Sequence, residues 1–215
     1  MTHDERVPAS GVRSHPRKAT LAERRAERGE VEDPAKVLDA AARYLEARPR
    51  SETEVRRKLR DLGYRSDLVE QTVARLIELG YIDDDAFART WVDSRDRARP
   101  RGEHALRMEL MRKGVERTVI NGVIDERRET AHGPAAEDAT PTAADEAAAA
   151  RLLERKGAAL QRETDPRRRV QRAYALLARN GFSPDVCARI ARTVAAGPGP
   201  VPVDDDELQA DEDTA

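Results

Sequence analysis

An internal repeat with a period of 51 residues is the feature that most restricts how this chain can fold. Residues 48–52, Arg-Pro-Arg-Ser-Glu, recur as Arg-Pro-Arg-Gly-Glu at 99–103. The same register continues through apolar and glycine positions, matching Val55 with Leu106, Leu59 with Leu110, and Gly63 with Gly114. A register kept over this length predicts two copies of one structural unit, packed as neighbours.

A third copy becomes visible when the chain is aligned on Gly181, although its proline, Pro166, is displaced by one position. Four positions before the glycine stand Leu59, Leu110 and Leu177, and one position after it stand Tyr64, Val115 and Phe182. In each copy we expect the glycine to provide a left-handed C-cap between two helices, because glycine adopts positive φ without steric cost.

Helix is the dominant local signal, and strand alternation is absent. Asp33 and Pro34 predict an N-cap followed by proline at the first helical position. Ser51 and Glu54 form a capping-box pattern, and Asp67 is the predicted cap of the next helix. Each unit of about 50 residues is too small to bury a stable core alone, and the chain is 37% charged and only 3% aromatic. Stacked small units are therefore favoured over one large core.

We predict an all-α fold of three tandem three-helix, helix-turn-helix-like repeats forming an elongated stack with disordered N- and C-terminal tails. The predicted linker is rich in Ala, Pro, Glu and Thr and has no periodic apolar residue. The predicted segments are a disordered N-terminal extension (1–33), repeat 1 (34–82), repeat 2 (83–130), a flexible linker (131–144), repeat 3 (145–197) and a disordered acidic tail (198–215).

Several functional classes are disfavoured by composition. The single cysteine, Cys187, excludes an intramolecular disulfide, and it occupies the position that Val69 and Ile120 hold in the other copies, which predicts a core residue. No apolar stretch is long enough to span a membrane, and residues 2–33 lack the apolar centre of a signal peptide. We expect a cytoplasmic, monomeric protein with no membrane contact.

An enzymatic function is not expected. The histidines His3, His15, His104 and His132 are scattered, and the chain has no phosphate-binding loop, dinucleotide-binding fingerprint or nucleophile elbow. We therefore predict no catalytic residue, no metal site and no cofactor. Phe87 and Trp91, four residues apart, are interpreted as core in preference to a base-stacking platform.

The run Asp83-Asp84-Asp85 has two interpretations. Clustered carboxylates suit a hard cation, but no further carboxylate follows at the spacing of a calcium loop. The run also directly precedes a helix, where one aspartate would act as the N-cap and the others would favour the positive end of the helix dipole. Capping is the preferred interpretation.

Basic residues cluster at the start of the second helix in all three copies. Between Arg48 and Arg60 there are six basic residues against two acidic ones, and 167–169 is Arg-Arg-Arg. For any single residue a solvated helix face is the favoured interpretation, but a stack would align the clusters into a stripe suited to an acidic protein surface or a phosphate backbone. The predicted partner-binding residues are Arg48, Arg50, Arg56, Arg57, Arg99, Arg101, Arg107, Arg112 and Lys113.

The motifs at 48–63, 80–88, 99–102 and 113–115 together resemble the RecX regulatory-protein family. The resemblance is dense over 36–128 and extends over 145–195. It implies a curved molecule of three tandem three-helix repeats that lies in the groove of the RecA–DNA filament and bridges protomers. It also implies inhibition of strand exchange, ATP hydrolysis and coprotease activity, without catalytic residues.

Two other classes of function stay open from the residues alone. Three-helix units resemble DNA-binding helix-turn-helix folds, but the third helix of the first copy has Arg75 as its only basic residue and also carries Glu70 and Glu78. That composition argues against sequence-specific groove reading and leaves weak nonspecific DNA contact. A passive scaffold is the other alternative. The acidic tail either screens the basic third repeat or only improves solubility.

Overall fold

The computed structural model describes residues 19–132 and 142–195, and within these ranges the chain forms ten α-helices and no strand. The helices are α1 (Leu21–Gly29), α2 (Pro34–Glu46), α3 (Glu52–Leu62), α4 (Ser66–Glu78), α5 (Asp84–Ala98), α6 (Glu103–Arg112), α7 (Arg117–His132), α8 (Ala143–Gln161), α9 (Pro166–Arg179) and α10 (Pro184–Thr193). The all-α prediction is confirmed.

Three separate hydrophobic clusters divide the described helices into three-helix units. Helices α2–α4, α5–α7 and α8–α10 each enclose one cluster, built largely from Leu, Val and Ile in the first two units and from Leu and Ala in the third. The aligned leucines Leu59, Leu110 and Leu177 lie at the centre of their units and are fully buried. The repeat register read from the sequence therefore places equivalent side chains in equivalent core positions.

The three aligned glycines all have left-handed backbone conformations, as predicted. Their φ angles are 104° at Gly63, 80° at Gly114 and 83° at Gly181. In each unit the residue after the glycine donates its backbone N–H to the carbonyl of the aligned leucine, which satisfies an unpaired group at the helix end. The turn between the second and third helix is thus built identically three times.

Most predicted helix starts are confirmed, with one exception. Asp33 and Asp83 accept hydrogen bonds from backbone amides of the first turn, and Ser51 and Glu54 form the full capping box. The prediction that Asp67 caps α4 is wrong, because the helix begins one residue earlier, at Ser66, with Arg65 as N-cap. The Asp67 carboxylate instead pairs with the Arg65 guanidinium, 2.7 Å away.

The segment 1–33, predicted to be disordered, contains helix α1. Thr20 and Glu23 form a reciprocal capping box at its start, and Arg28 donates a hydrogen bond to the backbone oxygen of Leu62 at 3.3 Å. Helix α1 lacks an apolar stripe and has no buried residue, so hydrophobic periodicity did not indicate it. It lies against the glycine turn of repeat 1.

Parts of the other predicted irregular segments are also helical. The predicted linker 131–144 has helical ends, because α7 continues to His132 and α8 begins at Ala143. The remaining linker residues, 133–141, and the predictions of disorder for 1–18 and for the tail 198–215 lie outside the described residues.

Neighbouring repeats meet at the same backbone position, the carbonyl that precedes each left-handed glycine. The Ser51 hydroxyl donates to the Lys113 carbonyl, and the Gly102 amide donates to the Asn180 carbonyl at 3.0 Å. In both cases the start of a second helix contacts the glycine turn of the following repeat. The Arg28 bond to Leu62 gives repeat 1 the same contact from α1.

A carboxylate from the first helix of each following repeat completes the junction. Asp84 in α5 accepts the backbone N–H of Glu52 at 2.8 Å, and Asp145 in α8 accepts that of Glu103 at 3.1 Å. Each aspartate therefore binds a free amide in the first turn of the preceding repeat's second helix, where negative charge is favourable. These contacts orient α3, α6 and α9 relative to one another.

We expect Gly114→Ala to destabilise the protein strongly. A Cβ atom at Gly114 would lie 2.4 Å from the Thr53 side chain, and the positive φ disfavours any L side chain, so the loss should be about 3 kcal/mol. Gly122→Ala is the matched control, because nothing lies within 4 Å of that position in α7 and helix propensity should add roughly 0.5–1 kcal/mol. Urea denaturation of both variants measures the difference, and equal midpoints would contradict the close packing at the junction.

Candidate interaction surface

The second helices of the three repeats meet end to end. The C-terminal turn of α9 contacts the start of α6 through the Asn180 carbonyl, and the C-terminal turn of α6 contacts the start of α3 through Lys113. Carbonyl ends of helix dipoles thereby face amide ends, which is the favourable arrangement. The basic clusters at the starts of these helices are consequently brought into one row, which we call the second-helix row.

Two of the predicted partner-binding residues join the second and third helices within their own repeats. Arg56 pairs with Glu52 one turn earlier and with Glu70 of α4 at 2.9 Å. Arg107 pairs with Glu103 at 2.9 Å and donates a hydrogen bond to Asn121 of α7. The partners are also related by the 51-residue period, so this is one structural contact made twice.

Arg48 and Lys113 converge on Glu54, whose side chain is only 5% exposed. The Lys113 ammonium lies 2.7 Å from Glu54 Oε1 and 4.9 Å from the centre of the Trp91 ring. Burial raises the pKa of Glu54, but the hydrogen bond and charge of Lys113, the Ser51 amide and Arg48 together bring it below its ordinary value. Lys113 therefore neutralises a buried carboxylate between repeats 1 and 2.

Arg50 and Arg101, related by the repeat, are half-buried at the starts of α3 and α6. The Arg50 guanidinium lies 4.2 Å from the centre of the Tyr44 ring, and Arg101 contacts Glu109 and Asn180. In both residues Nε is buried without a hydrogen-bond partner. Their positions favour a packing role.

The other three predicted residues are free to contact a partner. Arg57, Arg99 and Arg112 are exposed, and within 19–130 and 142–195 no side chain pairs with their guanidinium groups. Arg179 holds the position of Arg112 in repeat 3 and is also exposed and unpaired within the same ranges. The structure thus divides the predicted stripe into six residues with intramolecular contacts and three without.

Exposed methionines on α6 were not identified from the sequence. Met108 is 37% exposed and Met111 is 47% exposed, while Leu106 and Leu110 on the same helix are fully buried. Arg112 follows directly and shares the outer surface. Their exposure could have been predicted from their spacing relative to the buried leucines, because the methionines fall outside the apolar stripe that faces the core.

A cleft of about 590 Å³ with both polar and apolar lining lies between repeats 2 and 3. Beneath it the Arg127 guanidinium, 7% exposed, pairs with Asp96 at 2.8 Å and Asp145 at 2.7 Å. Burial raises the pKa of Asp145, against the opposing effects of Arg127 and the Glu103 amide. Acidic and basic side chains both line the cleft. The Arg127–Asp145 pair joins the two repeats, and the mixed lining leaves little net charge for an ionic ligand.

The groups considered for chemistry have structural contacts. Asp83 caps α5 and Asp84 binds the Glu52 amide, in agreement with the capping interpretation. Across the described ranges no group of three or more His, Cys, Asp or Glu side chains could hold a metal ion, and no helix is long and apolar enough to cross a membrane. The Cys187 thiol is buried and contacts the Phe182 carbonyl at 3.5 Å, and burial raises its pKa, which disfavours the reactive thiolate.

We expect Lys113→Met to destabilise the protein and Arg112→Met to leave its stability unchanged. Removal of Lys113 leaves the buried Glu54 carboxylate with the largely exposed Arg48, 3.6 Å away, as its remaining ionic partner, at a cost of about 2 kcal/mol near pH 7. Arg112 is exposed and unpaired within the described chain. Thermal unfolding of the two variants, which remove the same charge at adjacent positions, measures the contrast; similar melting temperatures would contradict the structural role of Lys113.

The defect of Lys113→Met should shrink in acid. In the wild-type chain the pKa of Glu54 is lowered, so its stabilising contribution is complete above the ordinary value of 4.5 and is lost as pH falls below it. In the variant, burial without Lys113 raises the pKa of Glu54, and its protonation relieves the penalty as pH falls. Urea titrations at pH 7 and pH 4 should show a smaller difference from wild type at pH 4, and a constant difference would exclude Glu54 as the cause.

Comparison with protein-family models finds two matching domains. Residues 38–76 match the RecX first three-helix domain, and residues 83–124 match the RecX second three-helix domain. Among curated proteins, the chain is 32% identical over 170 residues to regulatory protein RecX of Streptomyces coelicolor, covering 78% of this chain and 83% of that protein. It is also 32% identical over 150 residues to regulatory protein RecX of Thermobifida fusca, covering 70% of this chain and 74% of that protein.

Solved structures show the same fold. The crystal structure of RecX from Lactobacillus salivarius aligns with a TM-score of 0.60 at 21% identity, covering 75% of this chain and 96% of that one. A second crystal structure of regulatory protein RecX aligns with a TM-score of 0.57 at 22% identity, covering 79% of this chain and 72% of that one. At these identities the comparison establishes the arrangement of helices and not the roles of individual side chains.

Proposed function

The chain belongs to the RecX family of regulatory proteins, and we propose that it regulates RecA by binding along the groove of the RecA–DNA filament. Binding inhibits strand exchange, ATP hydrolysis and coprotease activity and thereby limits homologous recombination and the SOS response. The protein acts in the cytoplasm as a monomer, without a cofactor and without catalysing a reaction of its own.

The observation that carries this proposal is the series of unpaired arginines on the second-helix row. Arg57 lies in repeat 1, Arg99 and Arg112 lie in repeat 2, and Arg179 lies in repeat 3. A filament repeats one surface at regular intervals, so a row with cations in successive repeats can contact several protomers together. Linked contacts of this kind increase affinity far beyond that of any one contact.

The third helix of repeat 1 supports a protein partner over sequence-specific DNA reading. Its single basic residue, Arg75, is paired with Glu78 at 3.0 Å, and the Glu70 carboxylate near the start of the helix faces Arg56 and Arg60. A recognition helix needs free donors for base edges. Weak nonspecific contact of the unpaired arginines with phosphates is the alternative function, and it requires no base reading.

Reversing the three unpaired residues of the predicted stripe tests the proposal. We expect Arg57→Glu, Arg99→Glu and Arg112→Glu together to weaken inhibition of RecA-driven ATP hydrolysis by roughly tenfold or more, because exposed charge pairs contribute about 0.2–1 kcal/mol each and reversal adds repulsion. Helical content should be unchanged, since these exposed side chains form no hydrogen bond or ion pair with described residues. The half-inhibitory concentration is the measurement.

The matched control is a second triple reversal, Lys36→Glu, Lys156→Glu and Arg192→Glu. These residues are also exposed and unpaired within the described ranges, but they lie within α2, α8 and α10 and not in a second helix or in the segment that leads into one. It changes the net charge by the same amount and should retain wild-type inhibition. Equal loss in both triples would mean that net charge matters and the second-helix row does not.

Binding to duplex DNA without RecA separates the protein-partner proposal from the DNA alternative. Binding should be weak and should fall steeply between two salt concentrations, as expected for phosphate contacts alone. Tight duplex binding that accounts for the inhibition of ATP hydrolysis would favour the DNA-binding alternative.

A further inference from the structure

The outer face of α6 combines apolar and basic side chains at the middle of the second-helix row. Met108 and Met111 are three residues apart and substantially exposed, and the unpaired Arg112 follows immediately. Helix α6 is joined at its two ends to α9 and α3, so its outer face is the central segment of the row. A partner that lay along all three repeats would therefore shield the methionines from water more completely than side chains at either end of the row.

The methionines are specific to repeat 2. Positions equivalent to Met108 are Arg57 in repeat 1 and Ala175 in repeat 3, and those equivalent to Met111 are Arg60 and Ala178. The core does not require thioethers at these positions, because equivalent residues in the other repeats are charged or small. Two large exposed side chains on this helix are apolar, although 37% of the residues in the chain are charged.

We propose that Met108 and Met111 form the apolar centre of the partner interface, with Arg57, Arg99 and Arg112 as its charged rim. The partner is an acidic protein surface with an apolar hollow that receives the two methionines. This inference rests on the proposed function, because it assigns the apolar anchor of the same interaction surface. Stable protein interfaces have this organisation, with desolvated apolar side chains at the centre and polar groups around them. Methionine suits the centre because its flexible, polarizable side chain adapts to the partner.

The side chains of this face disfavour the two other occupants. A second copy packed face to face would bring the unpaired arginines of both copies together around the methionines, which like-charge repulsion opposes. A phosphate backbone would satisfy the arginines but offers the thioethers no apolar surface to bury. An acidic protein surface satisfies both kinds of side chain.

The test replaces both methionines by a polar residue of similar length. We expect Met108→Gln with Met111→Gln to weaken binding to RecA–DNA filaments by roughly tenfold or more, because the exposed parts of both side chains would no longer bury apolar surface in the complex. The slope of log affinity against log salt should stay at its wild-type value, since no charge is changed. Met108→Leu with Met111→Leu is the matched control and should retain most of the affinity. Circular dichroism should show the same helical content in all three proteins.

The outcomes separate the inference from the proposed function. Filament binding by the glutamine variant equal to that of the wild type overturns the anchor and leaves the proposed function standing. Absence of filament binding by the wild type overturns both. Sedimentation that reveals a wild-type dimer, dissociated in the glutamine variant, also overturns the inference, because the face would then be an interface between copies. A lowered salt slope in the glutamine variant would show that ionic contacts were disturbed, and it likewise counts against the anchor.

Discussion

The close approach of one repeat to the glycine turn of the next is the constraint on which the rest of the structure depends. Each turn needs a residue with positive φ to close its own helix, and the missing side chain also makes room for the neighbouring repeat. At Gly181 an added Cβ would lie 2.5 Å from the Cβ of Ala105, and at Gly114 it would overlap Thr53. Folding within a repeat and assembly between repeats therefore depend on the same atoms, so the small separate cores form one structural unit.

The abundant charge of the chain has two distinct uses. One set of basic residues in and beside the second helices neutralises carboxylates at positions that fix helix packing, as Lys113 does for Glu54 and Arg107 for Glu103. Another set remains exposed and unpaired within the described residues, including Arg57 and Arg112. Because the first set holds the repeats at fixed relative positions, the second set has a fixed spacing. A partner with regularly spaced acidic groups could exploit that spacing.

Much of the fold could be predicted because its determinants are local and repeated. Caps at Asp33 and Ser51, the left-handed glycines and the buried leucines all have signals within a few residues of their own position. Helix α1 was missed although Thr20 and Glu23 carry a local capping-box signal, because the helix has no apolar stripe and packs against the turn at Gly63, a contact that no local pattern encodes. The structural role of Lys113 was missed for a related reason, since its partner lies 59 residues away.

The sequence predicted that the basic clusters would lie next to one another, but not which of their side chains would be unpaired. Periodicity brought the basic clusters of successive repeats together, as the end-to-end contacts of α3, α6 and α9 show. Which cations are free depends on distances to carboxylates in other helices, such as Arg56 to Glu70, and these follow only from the three-dimensional packing. Asp145 shows the limit of prediction from the repeat. It binds the Glu103 amide as Asp84 binds the Glu52 amide. Residues inserted between repeats 2 and 3 nevertheless take Asp145 out of the 51-residue register, so the alignment of the repeats does not identify it.

Helix α1 has a further consequence for the length of the array. The contacts between repeats are head-to-tail, with one surface of a unit bound to a different surface of the next. Contacts of this kind do not close on themselves, so they can add copies indefinitely and produce a fibre. Here α1 already fills the site at Gly63 where another unit would attach. At the opposite end, the position of Ser51 and Gly102 is taken by Arg169, whose guanidinium turns back to the carbonyls of Glu163 and Val194. Within the described residues both growth points are occupied, so this geometry disfavours the addition of further copies.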